Sequence, residues 1–204
     1  MRREAGFSLI EILMTLLILT IGLLGLAGLQ AVAQRSGQEA YQRAQAIIIL
    51  NDIMDRINTN RAVATCYAIT APATGTPYLG TTAGSHYDTT AFSCPSMATN
   101  PNGVTRAGLD LTSIDNMLQG AAETTGGNKA GAMIGARACI GYDATTASYS
   151  VAVAWQGLGS TFSPASWDTT TTPATARNCA INKFGTDDSM RRVVWNTLLV
   201  ATLN

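Results

Sequence analysis

Residues 7–29 read FSLIEILMTLLILTIGLLGLAGL, and the plan of the molecule follows from them. These 23 residues carry one charge, Glu11. At about 1.5 Å per helical residue the run is long enough to cross a hydrocarbon core of roughly 30 Å. MRREAG precedes it, with Arg2 and Arg3. Cations are retained on the cytoplasmic side, so the segment is expected to enter with its N-terminus inside and its C-terminus outside. A secretory signal peptide has a shorter apolar core and ends at a small-residue cleavage site. Here the run is too long, holds a carboxylate five residues in, and continues into helical periodicity.

That continuation is AVAQRSGQEAYQRAQAIIILNDIMDRINTNRA, residues 31–62. Ala40, Ala44, Ile47, Leu50, Met54 and Ile57 recur at spacings of three or four and are predicted to share one face. Arg35, Gln38, Gln42, Arg43 and Asp52 fall elsewhere. The pattern predicts one helix from about 7 to about 60, on the order of 80 Å long. Its first half is apolar all round. Its second half is amphipathic and expected to lie against a domain.

Composition limits what that domain does. Of 204 residues, 13% are charged, with 13 Lys+Arg against 13 Asp+Glu and a single histidine. A nucleic-acid binder needs a basic face, and zero net charge with one histidine argues against it. Acid–base catalysis draws on histidines and clustered carboxylates, and the chain is poor in both. No cofactor is expected.

Glu11 needs an explanation, because a lone charge in a membrane helix costs about 2.5–3.5 kcal/mol on insertion scales. It either sits hydrated near the interface or awaits a cation that arrives on assembly. Gly6-Phe7-Ser8-Leu9-Ile10-Glu11 after a short basic leader resembles the signal of type IV prepilins and type II secretion pseudopilins. The resemblance implies cleavage between Gly6 and Phe7 by the prepilin peptidase and methylation of the new N-terminus at Phe7. It also implies that Glu11 pairs with the freed amine of a neighbouring subunit. Desolvation offsets much of that attraction, so the pair acts as a register device more than as glue. Since the uppermost pseudopilin of secretion machines usually lacks this glutamate, a chain that has it is expected to dock beneath another subunit.

Four further stretches resemble the minor pilins called type IV pilus modification proteins, the PilV group. They are GLLGLAGLQ with LNDIMDRINTNR (22–30 and 50–61), YSVAVAWQG (149–157) and MRRVVWNTLLV (190–200). The resemblance implies an inner-membrane subunit, single-pass with its head in the periplasm, that later enters the pilus. Its implied partners are other minor pilins, the major pilin, a tip adhesin, the prepilin peptidase and, before assembly, membrane lipid. The implied role is to prime pilus assembly for twitching motility and adhesion. The rival within this superfamily is a minor pseudopilin of a type II secretion system, and length leans against it. A membrane-anchored periplasmic enzyme or receptor is a third reading, with no catalytic constellation behind it.

The rest of the chain predicts a small head. The division is a leader at 1–6, a membrane half at 7–29, an amphipathic half at 30–62 and a head at 63–204. Residues 65–105 are crowded with Thr, Ala, Gly and Pro and read as irregular connection. Residues 109–122 predict a short helix, with Leu111, Ile114, Met117 and Leu118 on one face, Asp110 or Thr112 as its cap, and Gly126-Gly127 beyond. Residues 136–142 and 149–156 flank the turn-like DATTAS and predict a hairpin. In the second run Tyr149, Val151, Val153 and Trp155 alternate with small or polar residues, as in a half-buried strand. Residues 157–189 read as another polar connection, and 190–202 as the last strand. The fold class is therefore α+β, pilin-like, a long N-terminal helix packed on a small antiparallel sheet.

Cys66, Cys94, Cys139 and Cys179 all fall on the side where disulfides form. No C-x-x-C pair exists, and one histidine does not complete a usual zinc set. Three connectivities are open, besides free thiols. Pairing of sequence neighbours, Cys66–Cys94 and Cys139–Cys179, needs the least unusual path. The remaining candidates have plain readings. His86 is a single loop histidine. Asp187-Asp188 is a solvated turn rather than a calcium cage. GGNKAG (126–131) lacks phosphate-loop spacing. Gly22, Gly25 and Gly28 serve close helix approach in the membrane or loosening of the helix afterwards. Trp155, Trp167 and Trp195 belong either to the core and rim of the sheet or to a subunit interface.

Overall fold

The computed structural model describes residues 8–82, 84–120, 124–125, 128–129, 133–185 and 188–200. The predicted leader and cleavage site at Gly6 and Phe7, Gly126-Gly127, most of GGNKAG, Asp187 and the end of the last predicted strand lie outside them. By compactness the chain divides into an N-terminal unit ending at Tyr41 and a head that begins at Gln42.

One helix, α1 (Leu9–Thr59), starts on the Ser8 carbonyl, which accepts from the Glu11 and Ile12 amides, and runs unbroken. Within the head it buries Ala46, Ile49, Leu50, Ile53 and Ile57. This corrects the predicted face. Leu50 and Ile57 are buried and Met54 is half-buried, but Ala40, Ala44 and Ile47 are exposed. Four consecutive apolar residues, 47–50, let two neighbouring stripes satisfy a helical period. The stripe that includes Ile49 and Ile53 is the one that meets the core.

After a 3₁₀ segment (Arg61–Tyr67) comes strand β1 (Leu79–Gly80), then α2 (Pro101–Leu118), with two further 3₁₀ turns between them. Helix α2 starts eight residues before its predicted beginning. Asn100 caps it by accepting from the Gly103 amide, and Pro101 occupies the first turn, where its missing N–H costs nothing. Asn-Pro-Asn-Gly looks like loop punctuation but is a helix start. The buried face is Val104, Ala107, Leu111, Ile114 and Leu118.

Strands β2 (Thr124–Thr125) and β3 (Asn128–Lys129) form a separate two-stranded ladder. The main sheet adds β4 (Arg137–Asp143), β5 (Ser148–Gln156) and β6 (Arg191–Leu199) to β1, all antiparallel, in the order β1-β4-β5-β6. The predicted hairpin is β4–β5, and its turn closes as the Asp143 carboxylate accepts from the Thr145 amide at 2.8 Å. A short helix, α3 (Ala174–Asn178), lies in the connection that reads as irregular.

One face of the sheet carries Ile140, Tyr149, Val151, Val153 and Trp155 into a core shared with α1 and α2. The other face is also covered, against the half-buried expectation. Cys139, Ala152 and Ala154 lie under Ala176, Cys179, Ala180 and Phe184. Small residues occupy that face because the covering layer sits close to the strands.

The cysteines join as Cys66–Cys94 and Cys139–Cys179, and no described cysteine is free. The second bridge fastens β4 to the residue after α3. Gly75 completes the same layer. Its φ is +66°, and a Cβ there would lie 1.8 Å from the Asn178 carbonyl oxygen, so no other residue fits without moving the backbone. Asn178 in turn donates to the carbonyls of Pro72 and Ala73.

Candidate assembly interface

From Leu9 onward the N-terminal unit is a single helix. Leu9, Ile10, Ile18, Leu24 and Leu29 are 67–77% exposed, and none of the most apolar stretch is buried. On length and composition α1 qualifies as a membrane span. In such surroundings every backbone polar group must be met within the segment, and a helix does this. Its hydroxyls follow the same rule. Thr15 donates to the Ile12 carbonyl at 2.9 Å and Thr20 to the Leu17 carbonyl at 2.8 Å. What remains polar is Glu11, in the first turn, where a carboxylate is favoured by the helix dipole. A Cβ built at Gly22, Gly25 or Gly28 meets nothing within 4 Å. Nothing among the described residues requires those glycines.

The head grips the other end of α1 through a buried carboxylate. Asp110, from the middle of α2, is 3% exposed. Its Oδ2 accepts from the Tyr67 hydroxyl at 2.6 Å, and its Oδ1 accepts from Arg56 Nη1 at 2.8 Å and Arg106 Nε at 3.2 Å. Arg56 is also held by Asp52 at 2.7 Å, one turn earlier on α1. Burial opposes the Arg56 charge, but Asp52 and Asp110 override it and keep the guanidinium above its ordinary value. Burial, followed by the bond to Asp110, pushes the Tyr67 phenol far above its usual range. Asn60, just past α1, donates to the Tyr67 hydroxyl and to the Gly103 carbonyl. The end of α1, the 3₁₀ segment that follows it and the distant α2 thus meet at one carboxylate. Asp110 is not the helix cap predicted from sequence, and its role is legible only once α2 lies beside α1.

The tempting residues take structural places. His86 Nε2 lies 2.7 Å from Asp115 Oδ1. Asp115 also accepts from the Gly80 amide and the Gln119 side chain, so the group fastens β1 to α2. Asp188 is buried, not solvated. It accepts from Arg191 Nε at 2.7 Å, the Asn182 amide and the Ser163 hydroxyl. Arg191, fully buried at the start of β6, also donates to the carbonyls of Cys179 and Arg177. Among the described residues no cluster of three His, Cys, Asp or Glu could hold a metal ion.

The three tryptophans come together, which their sequence positions do not foretell. Trp155, Trp167 and Trp195 line one groove of about 530 Å³ beside α1 and β6. Trp155 is 3% exposed, and its indole nitrogen has no hydrogen-bond partner among the described residues.

Compared with known proteins, residues 1–27 match the prokaryotic N-terminal methylation motif. No curated protein and no solved structure matches the chain. The motif and the long-helix α+β fold support a type IV pilin-like protein, processed by the prepilin peptidase and anchored in the inner membrane before it enters a filament. Proteins of this type are structural subunits.

Proposed function

We propose that the chain is a type IV minor pilin of the PilV kind, cut between Gly6 and Phe7 and methylated at Phe7. It joins other minor pilins in a complex that primes pilus assembly and sits with the adhesin at the tip. The observation that carries the reading is the exposed apolar half of α1 with Glu11 in its first turn, directly behind the methylation motif. A surface of this kind must be covered, first by lipid and then by neighbouring helices. Glu11 supplies the charge that a neighbour's N-terminal amine meets, which sets the axial register as subunits stack. The head, stapled by two disulfides, is the part that distinguishes one subunit from another.

Mass spectrometry of the mature N-terminus tests the processing step, with methylated Phe7 expected and an intact Met1 overturning it. Glu11→Ala should insert normally yet leave the pilus, read as its amount in sheared filaments. Normal incorporation of that variant in a strain lacking the native chain sinks the pairing role. Deleting the gene tests the system it serves. Loss of surface pili with enzyme secretion intact sustains the pilus, and the opposite result assigns the chain to secretion.

A further inference from the structure

Strand β6 ends the sheet, and among the described residues no strand pairs with its far side. Nine residues long, it is the kind of edge that proteins usually cover or blunt. The groove of the three tryptophans follows this edge. Arg192, Val193, Val194 and Trp195 line it in succession. Successive strand side chains point to opposite faces, so a groove lined by four in a row wraps the edge itself. One wall is α1, through Ile47 and Leu50.

We infer that the β6 edge is a strand-addition site for an extended, acidic segment from the head of a different pilin subunit. An added strand takes its affinity from main-chain hydrogen bonds and its specificity from pockets for alternate side chains. Tryptophan and arginine are the residues that carry binding energy at such surfaces. The charge of the occupant follows from the lining. Arg43, exposed at the rim, and Arg192, whose guanidinium also donates to the Thr161 hydroxyl and the Gly159 and Ser189 carbonyls, give the groove two cations, and among the described residues no carboxylate lines it. A carboxylate on the incoming strand answers that charge. This inference rests on the filament reading above, because α1 is at once a wall of the groove and the assembly helix.

The test places a photo-crosslinking residue at the exposed Asn196 in the full chain, within cells that assemble the filament. A second probe replaces Thr145, in the β4–β5 turn, as control. Crosslinked peptides are sequenced by mass spectrometry. The expected partner peptide is a non-helical segment of another pilin subunit with an Asp or Glu within two residues of the link. Arg43→Glu, on an exposed side chain, should lower the yield at position 196 about tenfold, the loss of one charge-assisted contact, and leave the control unchanged. Links to a helix, to lipid or to a second copy of this chain overturn the inference, as does no link while Phe7 is methylated and the chain is in filaments. An unprocessed N-terminus removes the filament reading and this inference together.

Discussion

The two ends of α1 are made of the same residue types and obey different rules. Near its start, Leu9, Ile10 and Leu24 are exposed on every side, whereas near its end Ile53 and Ile57 are fully buried in the chain's own core. At one end apolar area stabilises the fold, and at the other it is held in reserve for lipid or neighbouring subunits. The contrast teaches that hydrophobicity alone does not separate folding from assembly. What separates them is whether a second layer from the same chain exists to meet the helix. Here α2 and the sheet arrive only at the C-terminal end.

Substitutions test the contrast, beginning with the largest effect. Asp110→Ala removes the carboxylate that gathers Tyr67, Arg56 and Arg106. It should cost the head about 3–5 kcal/mol, because the buried Tyr67 hydroxyl loses its acceptor, the half-buried Arg56 loses one of its two carboxylates, and the site is left partly empty. Denaturant unfolding of the detergent-solubilised chain, followed by the fluorescence of the head tryptophans, measures this. Ile53→Ala should cost about 2–5 kcal/mol in the same assay. Leu16→Ala, on a side chain 55% exposed, should stay within about 0.5 kcal/mol. Equal effects of the two would erase the distinction between the ends.

A smaller effect appears at alkaline pH. The native Tyr67 phenol holds its proton more tightly than the ordinary tyrosine value of 10.0, chiefly through burial and then through Asp110. The native state therefore binds more protons than the unfolded state above pH 10, and stability is lost as pH rises from there. Tyr87 and Tyr149 are shifted the same way, again chiefly by burial. Tyr67→Phe should be about 1–3 kcal/mol less stable at neutral pH, since Asp110 loses a donor. Its unfolding free energy should also fall less steeply above pH 10. An unchanged slope would remove Tyr67 from the account.

The smallest effect belongs to the apolar end. Gly22→Ala, Gly25→Ala and Gly28→Ala meet open space in the chain, so head stability should not move. Each should firm the helix by about 1 kcal/mol. If filament yield falls with all three present, the glycines serve contact or loosening between subunits. An unchanged yield leaves them as ordinary residues of a membrane helix.

The molecule was legible from sequence where one period dominates. The apolar run, the hairpin with its DATTAS turn and the last strand each carry a single unambiguous pattern. Legibility failed where two patterns compete or where meaning depends on distant neighbours. Ile47 to Leu50 fit either of two helical stripes, and only the arrival of α2 decides between them. Asn100-Pro101 is both a turn signal and a helix start. Asp110 and Asp188 look like a cap and a solvated turn because distant partners, Tyr67 and Arg56 for one and Ser163 for the other, are needed to show their burial. The groove of Trp155, Trp167 and Trp195 was hidden for the same reason, since its walls come from α1, β5, β6 and the connection between those strands, which spacing does not bring together.

Thr15 and Thr20 each close their hydroxyl onto a carbonyl of the preceding turn. A segment that hides its polar atoms this way offers hydrocarbon to whatever adjoins it. Moving it from a bilayer into a fibre then swaps one oily neighbour for another, with almost no water released and little driving force from the swap itself. The direction of travel must come from elsewhere, and the one charged side chain this half of α1 offers as a candidate is Glu11.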